Sequence, residues 1–66
     1  MKYNVGDVVF IEQNQIYAYI IKIGTDVLGM NWYTFKYQVP QTFDGRTIDC
    51  ATYNENQMLK YVEKVE

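Results

Sequence analysis

The chain has 66 residues, 48% of them hydrophobic, with a formal net charge of −2, one cysteine and no histidine. This size allows one domain, over residues 1–66, and that domain needs an efficient core or a partner. A single cysteine excludes an intrachain disulfide framework, and the missing histidines exclude histidine acid–base catalysis and argue against a structural zinc site.

The first predicted strand is a short apolar run. Gly6-Asp7 predicts a turn, and Val8 to Ile11 follow as a strand with both faces apolar. We assign Val8 and Phe10 to the core, although the other two residues of the run are equally apolar. Glu12 to Gln15 form a polar connection of hairpin length.

The second predicted strand, Ile16 to Ile23, separates large and small side chains by parity. Ala18 and Ile20 share the face assigned to the core, and Tyr17 and Tyr19 share the opposite face. A β-bulge near Ile21-Lys22 would return Ile23 to the core and bend the strand, as small barrels require. The strand is followed by a predicted turn over residues 24–26 and a partly apolar loop over residues 27–31.

The third predicted strand has the strongest signal in the chain. From Trp32 to Val39, apolar and polar residues alternate, which is typical of a half-buried β-strand. Its core face comprises Tyr33, Phe35, Tyr37 and Val39. Trp32 lies on the other parity, where it either anchors a partner or covers the open end of a barrel. Pro40 is expected to end the strand, and residues 41–46 are expected to form a loop with Asp44-Gly45 as its turn.

The last third of the chain predicts two further strands. Thr47 to Tyr53 form the fourth, in which we expect Cys50 to be a buried, inert thiol. Asn54 to Met58 suit a single 3₁₀ turn before a last strand from Leu59 to Val65. The alternative is a helix over residues 54–66, because the apolar spacing fits a helical stripe and Asn54 with the residue three positions on resembles a capping arrangement.

This order of elements resembles the SH3-like barrel, the broad fold of the KOW, Tudor and bacterial SH3-type modules. The matching segments are Val5-Gly6-Asp7-Val8-Val9, Ala18-x-Ile20-x-x-Ile23, Tyr33-x-Phe35-x-Tyr37 and Asn54-Glu55-Asn56-Gln57-Met58. The resemblance implies an all-β, five-stranded SH3-like barrel with a 3₁₀ turn before the last strand. It implies no activity. KOW modules usually place a glycine where Ala18 stands and carry a basic surface, whereas this chain is acidic.

Charge and composition bear on partners and location. The six basic residues form no stripe, which weakens a nucleic-acid function, and the eight acidic residues form no dense face. No apolar run reaches the ~20 residues that span a bilayer, and no secretory signal is visible at the start. We therefore expect a cytoplasmic protein. Lysine exceeds arginine, which suits an AT-rich genome of a low-GC bacterium or its phage, and the resemblance extends to small proteins of unknown role from such sources.

Two classes of function follow, and neither is an enzyme. The aspartates show no paired spacing, three of them adjoin turn residues, and the cysteine has no histidine partner, so we expect no catalysis, cofactor or metal. The first class is a protein-binding module, such as a phage-encoded adaptor or inhibitor of a host protein, or a protein that self-associates. Its candidate binding residues are Tyr17, Tyr19 and Trp32, with Glu12 as a nearby carboxylate. The alternative is a nucleic-acid-associated module of KOW or Tudor type, in which the same aromatic residues stack on bases.

Overall fold

A computed structural model describes residues 3–65 of the chain. Within these residues the elements are β1 (Val8–Ile11), β2 (Ile16–Thr25), β3 (Asn31–Phe43), β4 (Arg46–Asn54), α1 (Glu55–Tyr61) and β5 (Val62–Lys64). The predicted all-β class with five strands is confirmed.

All the strands join one antiparallel sheet in the order β4-β3-β2-β1-β5. The predicted bulge is confirmed, because the register between β2 and β3 shifts between Ile20 and Lys22. In the part of the chain that the structure describes, β4 and β5 are the two edges of the sheet and no ladder joins them. The sheet is therefore open at this seam.

The core lies on one face of the sheet, beneath α1 and the N-terminal segment. Its buried residues are Tyr3, Val9, Ile11, Ala18, Ile20, Tyr33, Phe35, Tyr37, Met58 and Val62. Phe35 is central, since its ring makes edge-to-face contacts with Tyr37 at 5.6 Å and Tyr53 at 4.9 Å between ring centroids. The predicted core positions Ala18, Ile20, Phe35, Tyr37, Met58 and Val62 are confirmed.

The predicted parity of the first strand is wrong. Val9 is 0% exposed and Val8 is 44% exposed, while Ile11 is buried and Phe10 is half-buried. The pairing with β2 sets this parity, because Val9 lies opposite Ala18 on the core face. Val8 and Phe10 therefore point to the outer face of the sheet.

Ile23 and Val39 are also exposed, contrary to the prediction. Ile23 lies opposite the buried Tyr33, so the bulge returns it to the core side of the ladder, but its side chain is 36% exposed. Val39 lies in a segment where the register between β3 and β4 shifts, between Lys36 and Gln41, so the alternation that placed it in the core is broken there.

Pro40 does not end the third strand, and the predicted loop over residues 41–46 is wrong. β3 runs to Phe43 and β4 begins at Arg46. Pro40 lies inside the segment of shifted register, where a missing N–H removes no regular ladder bond. Asp44-Gly45 is a turn, as predicted, with φ of 51° and 74°, values that suit a two-residue hairpin of type I′.

Beyond the shifted register, β3 and β4 form a two-stranded extension of the sheet. Residues 41–43 pair with residues 46–48 through Gln41–Ile48, Thr42–Thr47 and Phe43–Arg46. The pairing of β3 with β2 ends at Tyr37 with Ala18. We call residues 41–48 the outer hairpin. Phe43 and Ile48 are exposed on it.

Cys50 is exposed, so the predicted buried thiol is wrong. It lies opposite Lys36 on β3, on the outer face of the edge strand β4. The strand was predicted correctly, but its apolar residues at this end do not face the core.

The connection to the last strand is an α-helix and not the predicted 3₁₀ turn. The Asn54 side chain accepts from the Gln57 N–H at 2.9 Å, and the Gln57 side chain accepts from the Asn54 N–H at 2.8 Å, which forms a capping box. The helix contacts β3, β4 and β5 and buries Met58. It ends at Tyr61, so the last strand is Val62–Lys64, shorter than predicted.

Candidate functional site

Four large side chains form a cross-strand cluster on the outer face of the sheet. Val8 pairs with Tyr19 and Phe10 pairs with Tyr17 across β1 and β2. The rings of Phe10 and Tyr17 meet edge to face at 5.1 Å between centroids. We call Val8, Phe10, Tyr17 and Tyr19 the tyrosine face. Tyr17 is 48% exposed and Tyr19 is 40% exposed, which agrees with the outward parity predicted for both.

A groove of about 520 Å³ lies along the tyrosine face, lined by Val8, Tyr17, Ala18, Tyr19 and Gln38. On the other side of Tyr17 is a smaller hollow of about 290 Å³, lined by Phe10, Tyr17, Glu63, Lys64 and Val65. The Tyr17 ring thus separates two depressions. The larger volume lies within the range of about 300–1,000 Å³ that is typical of small-ligand sites.

Polar and charged groups border the tyrosine face on both sides. Lys36 lies opposite Tyr19 on β3, and Glu63 lies opposite Phe10 on β5. Beside the smaller hollow, the Lys64 Nζ is 3.3 Å from the Asp7 carboxylate. The Asn4 N–H, and then Lys64, hold the pKa of Asp7 below its usual value, so this carboxylate is ionised at neutral pH. The groove therefore has an apolar floor and a mixed polar rim.

Trp32 is not part of the tyrosine face. It lies opposite Gly24 at the far end of the β2–β3 ladder, about 13 Å along β3 from Lys36 at about 3.3 Å per residue. The indole is half-buried, and its Nε1–H donates to the Asp26 carboxylate at 3.0 Å. This contact does not test either interpretation of Trp32, as an anchor for a partner or as a cover for the open end of a barrel. The contact does show a role in holding the β2–β3 loop.

Asp26 organises that loop. Its Oδ1 accepts from the Leu28 N–H at 2.9 Å and the Met30 N–H at 3.0 Å, while its Oδ2 accepts from Trp32. Its backbone also bonds Gly29 and Met30, both at 3.0 Å. The Trp32 bond first, and then the backbone N–H groups, lower the pKa of Asp26. The carboxylate thus serves the structure of the turn.

The turn carries two apolar side chains in open solvent. Val27 is 101% exposed and Leu28 is 88% exposed, beyond the ends of both strands. We call these two residues the apolar tip. The hydrogen bonds of Asp26 hold the loop in one conformation. The apolar tip is therefore a fixed, protruding apolar surface.

Glu12 lies in the β1–β2 turn, at the end of the tyrosine face near Tyr17. Its carbonyl accepts from Gln15 through both the backbone N–H at 3.3 Å and the side-chain Nε2 at 2.7 Å. Its own N–H donates to the Tyr61 carbonyl at 3.0 Å. The backbone of Glu12 therefore fixes the hairpin against α1, and its exposed side chain extends from the turn. The structure brings Tyr17 and Tyr19 together, and places Glu12 and Trp32 at separate positions.

Among residues 3–65, no group of three histidine, cysteine or acidic residues is arranged to hold a metal ion. Within the same residues, no helix has the length and apolar character needed to cross a membrane.

Sequence reasoning missed part of this surface. The sequence predicts Val8 and Phe10 in the core, and Gln38 is not among the predicted binding residues. The signal that identifies them is the register, since the residues opposite Tyr17 and Tyr19 must share their face. Val27 and Leu28 were described only as part of an apolar loop. Their exposure follows from Asp26 and Gly29, which make them the two central residues of a tight turn.

No protein-family model, no curated protein and no solved structure matches this chain.

Proposed function

We propose that this protein is a non-enzymatic protein-binding module built on an SH3-like barrel, and that the tyrosine face binds a short segment of another protein. Support for the barrel comes from the five antiparallel strands, with β1 between β2 and β5, and from the bulge after Ile20, which bends β2. Closing the seam between β4 and β5 would complete the barrel, and α1 already contacts both strands.

The observation that carries the proposal is the groove beside Tyr17 and Tyr19. A single exposed tyrosine is ordinary on a protein surface, but here two of them adjoin Val8 and line an open groove of about 520 Å³. Aromatic rings offer contact area with few rotatable bonds, so they bind at little cost in conformational entropy. The Gln38 amide at the rim can donate to and accept from a peptide backbone.

The segment that fits such a groove is apolar or contains proline. Proline and aliphatic side chains stack on tyrosine rings, and an extended backbone leaves its polar groups free for Gln38. A methylated cation would instead need a carboxylate against the rings, whereas the lining of the groove contains none and Glu63 lines only the smaller hollow. In this proposal the protein acts in the cytoplasm as an adaptor or an inhibitor of a host protein, with no metal or cofactor.

The test is capture from a host lysate, with and without nuclease, using matched variants. Tyr17→Ser/Tyr19→Ser removes both rings from the groove. Leu59→Ser is the control, because Leu59 is an exposed apolar residue on α1, outside the lining of the groove. We expect a stoichiometric protein partner that survives nuclease, is retained by the control and is lost by the double variant, with all three proteins folded by circular dichroism.

Two results would count against the proposal. If the folded double variant keeps the partner, the tyrosine face is not the binding site. If the captured material disappears with nuclease and binding falls steeply with salt, the protein belongs to the nucleic-acid class, because phosphate contacts give that salt dependence.

A further inference from the structure

We propose that the tyrosine face binds an extended segment with an acidic side chain at one end and a basic side chain at the other, about five residues apart. Apolar or proline residues lie between these two charges. This inference rests on the proposed function, because it names the kind of segment that the same groove accepts. The observation behind it is the register position of Lys36 and Glu63, at opposite ends of the tyrosine face.

The basic end of the tyrosine face lies on β3. Lys36 is exposed, lies directly opposite Tyr19, and is two residues from Gln38, which lines the groove. Directly opposed residues on one face of an antiparallel pair have Cβ atoms about 4.5–5.5 Å apart, so the Lys36 side chain begins beside that of Tyr19. Lys22 follows on the same face past the bulge, opposite Thr34. Positive charge therefore borders the groove on this side.

The acidic end lies on β5 and the β1–β2 turn. Glu63 is exposed, lies directly opposite Phe10 and lines the smaller hollow. The exposed Glu12 extends from the turn that follows β1. The other two charged groups beside the hollow, the Asp7 carboxylate and the Lys64 Nζ, are 3.3 Å apart and have opposite signs. That pair is close to neutral as a unit, so Glu63 and Glu12 determine the negative sign of this end.

The register also gives the separation of the two charges. Lys36 and Glu63 lie on strands that are three steps apart in the order β3-β2-β1-β5, which is about 14 Å at about 4.8 Å per step. They are offset by two residues along the strands, about 7 Å, because Lys36 lies opposite Tyr19 whereas Glu63 shares a row with Tyr17. Their backbone positions are therefore about 16 Å apart. A polyproline II segment advances about 3.1 Å per residue, so about five residues cover this distance.

Both charged groups are available to a ligand. Among residues 3–65, no hydrogen bond or salt bridge engages the Lys36 ammonium or the Glu63 carboxylate. At about 16 Å they are also too far apart to pair with each other, since this distance exceeds the Debye length at physiological salt. Charges at the rim of a binding surface contribute more to the choice and alignment of the partner than to its affinity. The tyrosine rings thus supply contact area, and the two charges select the segment and align it across the strands.

The experiment is a nuclear magnetic resonance titration of the ¹⁵N-labelled protein with four proline-rich peptides, each added up to about 1 mM, where weak contacts become populated. One peptide carries glutamate and lysine at the two ends of the proposed spacing. The others carry two glutamates, two lysines or two glutamines at those positions. We expect the mixed peptide to shift the amides of Tyr17 and Tyr19 and to bind about threefold or more tighter than the glutamine peptide at low salt. The difference should shrink as salt is added.

Charge reversal in the protein gives the sharpest result. Glu63→Lys makes both ends basic and should switch the preference to the two-glutamate peptide, while Lys36→Glu makes both ends acidic and should switch it to the two-lysine peptide. Each switch should change the ratio of the two dissociation constants by about tenfold. Lys60→Glu is the matched control, because it makes the same substitution at an exposed position on α1, outside the lining of both depressions. It should keep the wild-type preference.

Three outcomes would overturn the inference: equal dissociation constants for all four peptides, a preference that fails to follow either charge reversal, or no shift of the Tyr17 and Tyr19 amides with any peptide. In each case, a lysate partner that is still lost with Tyr17→Ser/Tyr19→Ser would leave the proposed function standing and remove only the selection by charge. Peptide shifts confined to α1 would place the binding surface elsewhere and contradict both proposals.

Discussion

Replacing Phe35 with alanine tests the assignment of the core. Phe35 is 0% exposed and packs edge to face against Tyr37 and Tyr53. Truncating a buried phenylalanine to alanine costs about 3–5 kcal/mol, and the loss of two aromatic pairs moves the expected cost towards the upper end of that range. A domain of 66 residues has a free energy of unfolding of about 3–10 kcal/mol. We therefore expect Phe35→Ala to be largely unfolded, or to unfold at less than half the urea concentration that the wild type needs.

The measurement is urea unfolding followed by far-ultraviolet circular dichroism and by the fluorescence of Trp32. Phe43→Ala is the matched control, because Phe43 lies on the same strand but is 70% exposed on the outer hairpin. It should change the free energy of unfolding by no more than about 0.5 kcal/mol. Equal losses for the two variants, or a loss below about 1 kcal/mol for Phe35→Ala, would show that the packing described around Phe35 is incorrect.

Three further predictions address the strand parity, the loop and the helix cap. Val9→Ala should lower the free energy of unfolding by about 2 kcal/mol and Val8→Ala by less than about 1 kcal/mol. The reverse order would show that Val8, and not Val9, faces the core. On acidification, Trp32 fluorescence should change below pH 3.8, because the hydrogen bonds that Asp26 accepts hold its pKa below that usual value. The stabilisation from these bonds is present above pH 3.8 and is lost as the pH falls through the lowered pKa. Asp26→Asn should show the acid-like spectrum at neutral pH, because an amide has one acceptor oxygen and cannot serve both the indole and the backbone N–H groups of the loop. A transition above pH 3.8 would contradict the assignment. Asn54→Ala should cost about 1 kcal/mol in the urea assay through loss of the capping box, and an unchanged midpoint would show that the cap contributes nothing.

The sequence predicts correctly those strands whose apolar pattern allows only one parity to face the core. The alternation from Tyr33 to Tyr37 leaves a single face for the core, and the structure buries that face. The run from Val8 to Ile11 has two solutions, because both parities are apolar and only pairing with β2 decides between them. The prediction of a 3₁₀ turn from Asn54 to Met58 is wrong for a related reason. The capping pair Asn54 and Gln57 was visible, but the choice between a 3₁₀ turn and a full helix depends on tertiary contacts of Met58.

The candidate site was predictable to the extent that it depends on parity. Tyr17 and Tyr19 were placed outward from the alternation of β2 alone. What lies beside them was not predictable, because neighbours on a sheet come from register, and the register shifts once between β2 and β3 and once between β3 and β4. Trp32 shows the limit of parity as an argument. Its position opposite the core face of the third strand suggested a binding role, whereas its contact with Asp26 shows a role in the loop.

Because of the outer hairpin, the backbone hydrogen bonds of β3 open at two different rates along one continuous strand. Residues 32–36 are flanked by β2 and β4, so exposing their amides to water requires the sheet itself to open. Residues 41–43 are paired only with residues 46–48, and an isolated two-stranded ribbon is marginally stable in water. The segment of shifted register that contains Pro40 separates these two regimes. The distal part of the hairpin can therefore fray and re-form on a faster timescale while the tyrosine face and the core stay intact.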